Sequence, residues 1–217
     1  MWRVSVMIKN QRRKMVKANN VVALDINGIL CDFEGHWAHC ARRVLDWPDI
    51  KKLNDAYYLH DRYGIPKADA HHVWDTFHHD VEWANVPLYD HAQELVYALE
   101  DMGCQVWAVT SIGAEFHQAR VDSLCGLLPA GRVICVNPAH APTEKAATLQ
   151  RVRAVAFLDD QADNANAATT VVGLSVLLDR RYTGLEAPAS DVVVIDDPMD
   201  YPVLVETMMK RTGRALA

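Results

Sequence analysis

The chain has 217 residues, which is enough to bury the core of one domain and to carry a modest insertion. Half of the residues are hydrophobic and 23% are charged, a balance typical of a globular protein rather than a disordered or membrane-spanning one. The net charge of −6 is unevenly spread, because residues 1–20 contain six basic residues and no acidic one. The rest of the chain is therefore strongly acidic, which disfavours binding of a nucleic acid polymer as its main function, and we expect no such partner.

Residues 1–20 form a basic extension that we expect to be disordered or to precede a true start at Met15. An Arg-rich organelle-targeting segment is the alternative interpretation. The five cysteines are odd in number and form no Cys-x-x-Cys motif, so they predict reduced thiols and a cytoplasmic location. No apolar run is long enough to cross a bilayer, and we expect no membrane partner.

The first predicted element is a buried strand over residues 21–24, which ends at Asp25. The chain continues as Ile26-Asn27-Gly28, so a carboxylate is followed directly by a glycine turn. Ligands of parallel α/β sheets bind outside the carboxyl ends of the strands. The segment therefore predicts a phosphoryl-transfer loop in which Asp25 is the nucleophile.

Between this strand and Leu88 the pattern is helical throughout. Apolar residues at helical spacing predict helices over residues 34–46 and 67–80, and no strand pattern occurs. We therefore predict a helical cap over residues 33–87, inserted after the first strand into a core made of residues 21–32 and 88–217.

From Leu88 onward, strand and helix patterns alternate. They predict strands over residues 104–110, 132–136, 154–158, 171–178 and 192–195, and helices over residues 89–102, 114–125, 143–152 and from about 198. Such alternation favours an α/β fold with a Rossmann-like, three-layer parallel sheet covered by helices on both faces. A Gly-x-Gly-x-x-Gly motif is absent, which disfavours a dinucleotide-binding domain.

Polar residues follow the predicted strands at four places. They are Asp25 with Asn27, Thr110 with Ser111, Lys145 in the helix after the next strand, and Asp159 with Asp160. Because parallel strands end at one edge of a sheet, these groups should meet there. Asp25 would attack a phosphoryl group, Mg²⁺ held by Asp25 and one of the acidic pair would screen its charge, and Lys145 with Thr110 would bind its oxygens. Taken singly, each feature also has an ordinary structural explanation, such as helix capping.

The order Asp, Thr, Lys and Asp-Asp over residues 21–200 resembles the four motifs of the haloacid dehalogenase-like superfamily. The segment from Asp25 to Glu34 is similar to the first motif of the 5′(3′)-deoxyribonucleotidases, and the segment from Leu178 to Tyr182 is similar to a tail element of that family. The resemblance implies a Mg²⁺-dependent phosphatase that forms an aspartyl-phosphate, with a small phosphorylated substrate for which a nucleotide is the favoured candidate.

The resemblance also implies a role for each matching residue. Asp25 is the nucleophile, and Asn27 occupies the general acid/base position and ligates Mg²⁺ through its backbone carbonyl. Asp160 is a direct metal ligand, and Asp159 supports it. Phosphate is bound by Thr110, Ser111 and Lys145, and Phe33 lines the nucleoside pocket. Trp74 or Phe77 could stack on a base, although their helical spacing favours packing within the cap.

Two residues depart from the pattern of the resembling family. Asn27 stands where relatives carry a second Asp, and an amide cannot exchange a proton near neutral pH. Position 143 also lacks a basic residue that could add a phosphate contact. The sequence therefore leaves two functions open, a phosphatase and a catalytically impaired relative that binds a phosphorylated ligand or partner.

Eight of the ten histidines lie between positions 36 and 91, mostly in the predicted cap. A second metal site is one interpretation, but no spacing among them is diagnostic, and a solvated surface is the favoured one. The sequence is compatible with a homodimer and does not identify one.

Overall fold

The computed structural model describes residues 20–79 and 82–213. The predicted basic extension, apart from Asn20, lies outside the described residues. Within them, no helix is both long enough and apolar enough to cross a membrane.

Six parallel strands form one sheet in the order β3-β2-β1-β4-β5-β6. Their bounds are β1 (Asn20–Leu24), β2 (Cys104–Ser111), β3 (Val133–Val136), β4 (Ala154–Asp159), β5 (Leu174–Leu178) and β6 (Val193–Ile195). The strand order reverses between β1 and β4, which is the doubly wound arrangement whose ligand crevice opens beside the two strands at the reversal. The predicted α/β, Rossmann-like parallel sheet is confirmed.

Nine α-helices surround and extend this sheet in the described part of the chain. Their bounds are α1 (Phe33–Val44), α2 (Leu59–Tyr63), α3 (Lys67–His79), α4 (Glu82–Asn85), α5 (Ala92–Asp101), α6 (His117–Ser123), α7 (Ala141–Val152), α8 (Ala162–Ala168) and α9 (Asp200–Thr212). Helices α1–α4 follow β1 directly, so the helical segment is inserted after the first strand as the sequence predicts.

The central strands are buried on both faces, which explains their uninterrupted apolar sequences. β4 reads Ala-Val-Ala-Phe-Leu-Asp and is buried at all six positions, including its terminal Asp159. β1 pairs with β2 on one side and with β4 on the other. Strands that are covered by helices on both faces show this continuous pattern rather than a two-residue alternation.

Several element boundaries differ from the sequence prediction. Helix α7 begins at Ala141, two residues before the predicted start, and α5 begins at Ala92 rather than near residue 89. Helix α8 was not among the predicted elements, because its sequence Ala-Asp-Asn-Ala-Asn-Ala-Ala carries little apolar periodicity. This short helix follows Asp159 and Asp160 and thereby helps to position them.

Candidate active site

The nucleophile candidate Asp25 lies immediately after β1, at the carboxyl edge of the sheet. Its backbone N–H donates to the carbonyl of Leu158 at 2.9 Å, so the pairing with β4 continues one residue beyond the strand. The side chain is only 3% exposed. This pairing fixes Asp25 next to the end of β4, where the acidic pair begins.

Lys145 lies on α7 and bridges two of the carboxylates. Its Nζ donates to Asp159 Oδ2 at 2.7 Å and lies 3.2 Å from Asp25 Oδ1. All three side chains are buried. Asp25 Oδ1 is buried against this ammonium group and has no second polar partner among the described residues.

The two adjacent aspartates have different surroundings. Both oxygens of Asp159 are engaged, Oδ2 by Lys145 and Oδ1 by the backbone N–H of Gln161 at 2.9 Å and the Asn164 amide at 3.1 Å. Asp160 instead lines the cavity and accepts one hydrogen bond, from the Tyr182 hydroxyl at 2.9 Å. Asp160 therefore has more free coordination capacity than Asp159.

The crowding of these carboxylates changes their ionisation. Burial, the charge of Asp159 and the charge of Asp25 raise the pKa of Asp160 to about 8. Burial also raises the pKa of Asp25 to about 6, although the Lys145 ammonium opposes the shift. Burial would lower the pKa of Lys145, but attraction to Asp159 and Asp25 outweighs it and the pKa is raised. The cluster thus has one cation for three acids.

Thr110 and Ser111 end β2 beside Asp25 and complete the polar edge. Neither hydroxyl has a hydrogen-bond partner within the described residues, although Thr110 is 1% exposed. Buried hydroxyls are seldom left without partners in folded proteins. Because both residues line the same cavity as Asp25, their unused capacity indicates a polar ligand at this position.

Gly28 brings the loop after β1 against Asp160. Its φ is +76°, and a β-carbon at this position would lie 2.0 Å from Asp160 Oδ2. The Gly28 carbonyl accepts from the guanidinium of Arg180, whose Nε lies at 3.0 Å. The loop is therefore held between Asp160 and Arg180, and only glycine fits at position 28.

Asn27 faces the cavity but contacts a residue that the sequence analysis missed. Arg120 on α6 is fully buried and donates from Nη2 to Asn27 Oδ1 at 3.0 Å and from Nη1 to the Trp83 carbonyl at 3.1 Å. Its guanidinium also lies 5.5 Å from the centre of the Trp83 ring. No local sequence signal distinguishes Arg120 from a surface arginine.

The helical segment covers the other side of a cavity of about 300 Å³. Phe33 and Trp74 both line the cavity, and the Phe33 ring stacks on Trp83 at 5.4 Å and on Trp74 at 5.8 Å between ring centres. Phe77 is fully buried within this aromatic group and does not line the cavity. Of the two aromatic candidates, only Trp74 is placed to contact a ligand.

A chain of polar contacts links the helical segment to Asp160. The Glu34 carboxylate accepts from Arg62 at 2.5 Å, and the Arg62 guanidinium lies 4.5 Å from the centre of the Tyr182 ring. Tyr182 in turn donates to Asp160. The segment from Leu178 to Tyr182, which the sequence marked without assigning a role, therefore contributes directly to this site.

The acidic residues fit a divalent cation. One oxygen from each of Asp25, Asp159 and Asp160 lies within 4.8 Å of the others, and this is the one group of potential metal ligands found in the described residues. Mg²⁺ prefers oxygen ligands and keeps several waters, which suits a cluster that opens into a cavity. The cap histidines form no comparable group there, and His36 instead contacts Glu82 at 2.8 Å.

Comparison with solved structures identifies proteins of similar fold. A haloacid dehalogenase-like family hydrolase from Xanthomonas campestris has a TM-score of 0.57 and 14% identity over 90% of this chain and 98% of its own. A HAD family hydrolase from Deinococcus radiodurans R1, with bound phosphate and sodium, has a TM-score of 0.56 and 16% identity over 87% and 96%.

A third similar structure is the L-2-haloacid dehalogenase from Xanthobacter autotrophicus with chloropropionic acid covalently bound. Its TM-score is 0.58, with 16% identity over 87% of this chain and 99% of its own. No protein-family model and no curated protein matches the sequence. The described fold and these structural similarities together show that the chain has the fold of the haloacid dehalogenase-like hydrolases.

Proposed function

We propose that the protein is a Mg²⁺-dependent phosphatase that transfers the phosphoryl group of a small phosphorylated compound to Asp25 and then to water. The observation that carries this proposal is the convergence of Asp25, which is paired with Lys145, two unpaired hydroxyls and an acidic cluster around one cavity. A carboxylate held in place by an ammonium group is a suitable nucleophile, and unpaired donors suit the oxygens of a phosphoryl group.

Each residue has a distinct role in this proposal. Asp25 Oδ1 attacks phosphorus, while the hydroxyls of Thr110 and Ser111 donate to the phosphoryl oxygens. Lys145 holds Asp25 and Asp159 in place and lowers the repulsion between the carboxylates and the incoming dianion. Asp25, Asp160 and the backbone carbonyl of Asn27 would hold Mg²⁺, which when bound neutralises part of the charge of the phosphate.

The substrate is proposed to be a phosphomonoester, with a (deoxy)nucleotide as one candidate because Phe33 and Trp74 line the cavity. The same helical segment would act as a cap that excludes water during transfer. Carbon–halogen hydrolysis, suggested by the dehalogenases of similar fold, is less well supported. Asp25, Asp159 and Asp160 share the single ammonium group of Lys145, so the cluster would repel the carboxylate of a haloacid and favour a phosphate that carries its own cation.

A catalytically impaired protein that only binds a phosphorylated ligand is the second candidate, and Asn27 favours it. The amide leaves the position without an acid or a base, and general acid–base catalysis contributes roughly 10²–10⁴-fold to rates. Such a protein would bind phosphate and Mg²⁺ at the same residues without forming a covalent intermediate.

The decisive experiment combines phosphate release with the mass of the intact protein. The wild type and Asp25→Asn are incubated with Mg²⁺ and a panel of phosphorylated compounds, including nucleotides. We expect release of phosphate and a phosphorylated protein only where Asp25 is present. Phosphate release by Asp25→Asn would contradict the assigned nucleophile, and binding without phosphorylation of the wild type would favour the second candidate.

A further inference from the structure

The buried contact between Arg120 and Asn27 determines which end of the Asn27 amide faces the cavity. A guanidinium has five hydrogen-bond donors and no acceptor, so the Asn27 atom 3.0 Å from Arg120 Nη2 must be its oxygen. The Arg120 side chain cannot easily turn away, because it is fully buried and is also held by the Trp83 carbonyl. The amide nitrogen is therefore the end left for a ligand.

The amide nitrogen of Asn27 is free to donate. It makes no hydrogen bond within the described residues, and Asn27 lines the cavity together with Asp25, Thr110 and Ser111. Position 27 thus offers a fixed donor that carries no transferable proton. Such a group stabilises negative charge on a leaving oxygen by hydrogen bonding but cannot convert that oxygen into a neutral alcohol.

Other groups around the cavity do not replace the missing acid. The Tyr182 hydroxyl already donates to Asp160 at 2.9 Å, and burial raises the pKa of Tyr57 and Tyr89, which makes their hydroxyls weaker proton donors. Glu34 accepts hydrogen bonds from Arg62 and from the Tyr63 hydroxyl at 3.1 Å, as an ionised carboxylate does. The lining residues left are Asp160, which would bind Mg²⁺ as a carboxylate, and Tyr58 and His60, of which His60 lies 3.4 Å from Asp61.

We infer that the substrate carries its phosphoryl group on a leaving group that departs as a stable anion, as in an acyl phosphate, and that Arg120 is the residue that positions Asn27 for it. This inference rests on the proposed function and narrows its substrate class. An alkyl phosphate, which needs a proton on its leaving oxygen, would transfer slowly.

Phosphoryl transfer to Asp25 and hydrolysis of the aspartyl-phosphate both balance without an added acid. Asp25 Oδ1 forms a bond to phosphorus, the bond between phosphorus and the leaving oxygen breaks, and the electron pair leaves with a carboxylate such as acetate. Water then attacks phosphorus, the bond to Asp25 breaks, its carboxylate is restored, and both protons of the water remain on the inorganic phosphate. The first step is fast, and the second lacks a base at position 27, so the aspartyl-phosphate accumulates.

The test measures how fast Asp25 is phosphorylated by probes of different leaving-group acidity. Acetyl phosphate, 4-nitrophenyl phosphate and phenyl phosphate are mixed with the Mg²⁺-loaded protein, quenched at short times and followed by intact mass. The two aryl phosphates nearly match in size, so their comparison isolates the leaving group. We expect phenyl phosphate to react at least about 10²-fold more slowly than 4-nitrophenyl phosphate, in line with an absent general acid.

Variants separate positioning by Arg120 from a purely structural role. Asn27→Ala should slow phosphorylation most for phenyl phosphate, because the donor to the leaving oxygen is lost. Arg120→Met should reproduce that change, and adding Asn27→Ala to it should change the ratio of the two aryl rates no further. If Arg120→Met does not fold, Asn27→Ala alone still tests the donor, since Asn27 lies at the cavity surface.

The outcomes distinguish this inference from the function on which it rests. Equal rates with both aryl phosphates would overturn the inference and leave the phosphatase assignment standing, and His60→Gln would then show whether His60 supplies the proton. A wild type that no probe phosphorylates on Asp25 would overturn both. Unequal effects of Asn27→Ala and Arg120→Met on the ratio would overturn the positioning role of Arg120.

Discussion

A β-carbon on Gly28 would lie 2.0 Å from Asp160 Oδ2, so the loop that carries Asp25 packs against the acidic pair at the end of β4 with no room for a side chain between them. Their contact spans the reversal point of the sheet, between β1 and β4. It connects the backbone of the loop after β1 to Asp160, the member of the acidic pair with more free coordination capacity.

Gly28→Ala should therefore displace Asp160 and weaken metal binding. We expect Mg²⁺ to raise the melting temperature of the wild type and to have little effect on the variant. Gly126→Ala is the matched control, because Gly126 also has a positive φ of +77° but nothing lies within 4 Å of an added β-carbon. The control should lose only about 1–2 kcal/mol of stability, the cost of a β-carbon in the left-handed region, and keep its response to Mg²⁺. Equal responses of the two variants would refute the contact.

Metal-free stability should fall as the pH rises, the reverse of the usual behaviour of aspartates. The pKa of Asp160 is raised from 3.8 to about 8 and that of Asp25 to about 6, so between roughly pH 4 and pH 8 the folded state binds more protons than the unfolded state. Stability from this source is therefore present at the acidic end and lost toward the alkaline end.

Melting temperatures measured in EDTA and in Mg²⁺ from about pH 5 to pH 8 check this expectation. The gap between the two curves should widen with pH, because the cation replaces the protons that hold the cluster together. Asp160→Asn should flatten the curve in EDTA and remove most of the response to Mg²⁺. A gap that is constant across the pH range would show that Asp160 does not bind the cation.

The Tyr182 hydroxyl orients Asp160, so Tyr182→Phe should weaken Mg²⁺ binding by about 10–100-fold, the usual effect of removing a hydrogen bond to a metal ligand. The aromatic ring that packs on Arg62 is retained, which limits the effect on folding. Tyr97→Phe serves as control, since it removes a hydroxyl from an exposed position on α5. Calorimetric titration with Mg²⁺ measures the affinity of each variant, and equal affinities of Tyr182→Phe and Tyr97→Phe would contradict the prediction.

Phe33 should contribute to the binding of an aromatic substrate but not of inorganic phosphate. Phe33→Leu keeps much of the apolar volume against Trp83 and removes the aromatic face. Loss of one base-stacking contact costs on the order of 1–3 kcal/mol. We expect a loss of that size in the free energy of nucleotide binding when Phe33→Leu is combined with Asp25→Asn, which prevents phosphoryl transfer during the measurement. If nucleotide and phosphate affinities change equally, the ring does not contact the base.

Asn27→Asp should raise steady-state turnover by roughly 10²–10⁴-fold, the contribution typical of general acid–base catalysis. The buried Arg120 guanidinium, which now contacts Asn27 Oδ1, would hold the new carboxylate ionised, and an ionised carboxylate suits the base that activates water. The aspartyl-phosphate that accumulates in the wild type should not accumulate in Asn27→Asp, as followed by intact mass. Unchanged accumulation in Asn27→Asp would show that the base is supplied elsewhere.

The sequence by itself determined the sheet, the order of the polar strand ends and the polar residues at the sheet edge of the cavity, but fewer than half of the residues that line it. Strand and helix periodicities are local, and Asp25, Thr110 and Asp160 each follow an apolar strand, so the geometry of a parallel sheet was enough to bring them to one edge. Helix α8 was not predicted from the sequence, because a short helix rich in Asn and Ala carries no such periodicity. The metal, the substrate and the cap boundaries stay predictions.

Only the tertiary structure decided how these groups are used. The contact of Arg120 with Asn27 joins residues 93 positions apart, and that of Tyr182 with Asp160 joins residues 22 apart. Whether an arginine lies at the surface or in the core depends on which distant elements pack over it, and no local pattern encodes that. Asp159 is held by Lys145, whereas Asp160 lines the cavity, and this difference also depends on contacts with residues distant in the sequence.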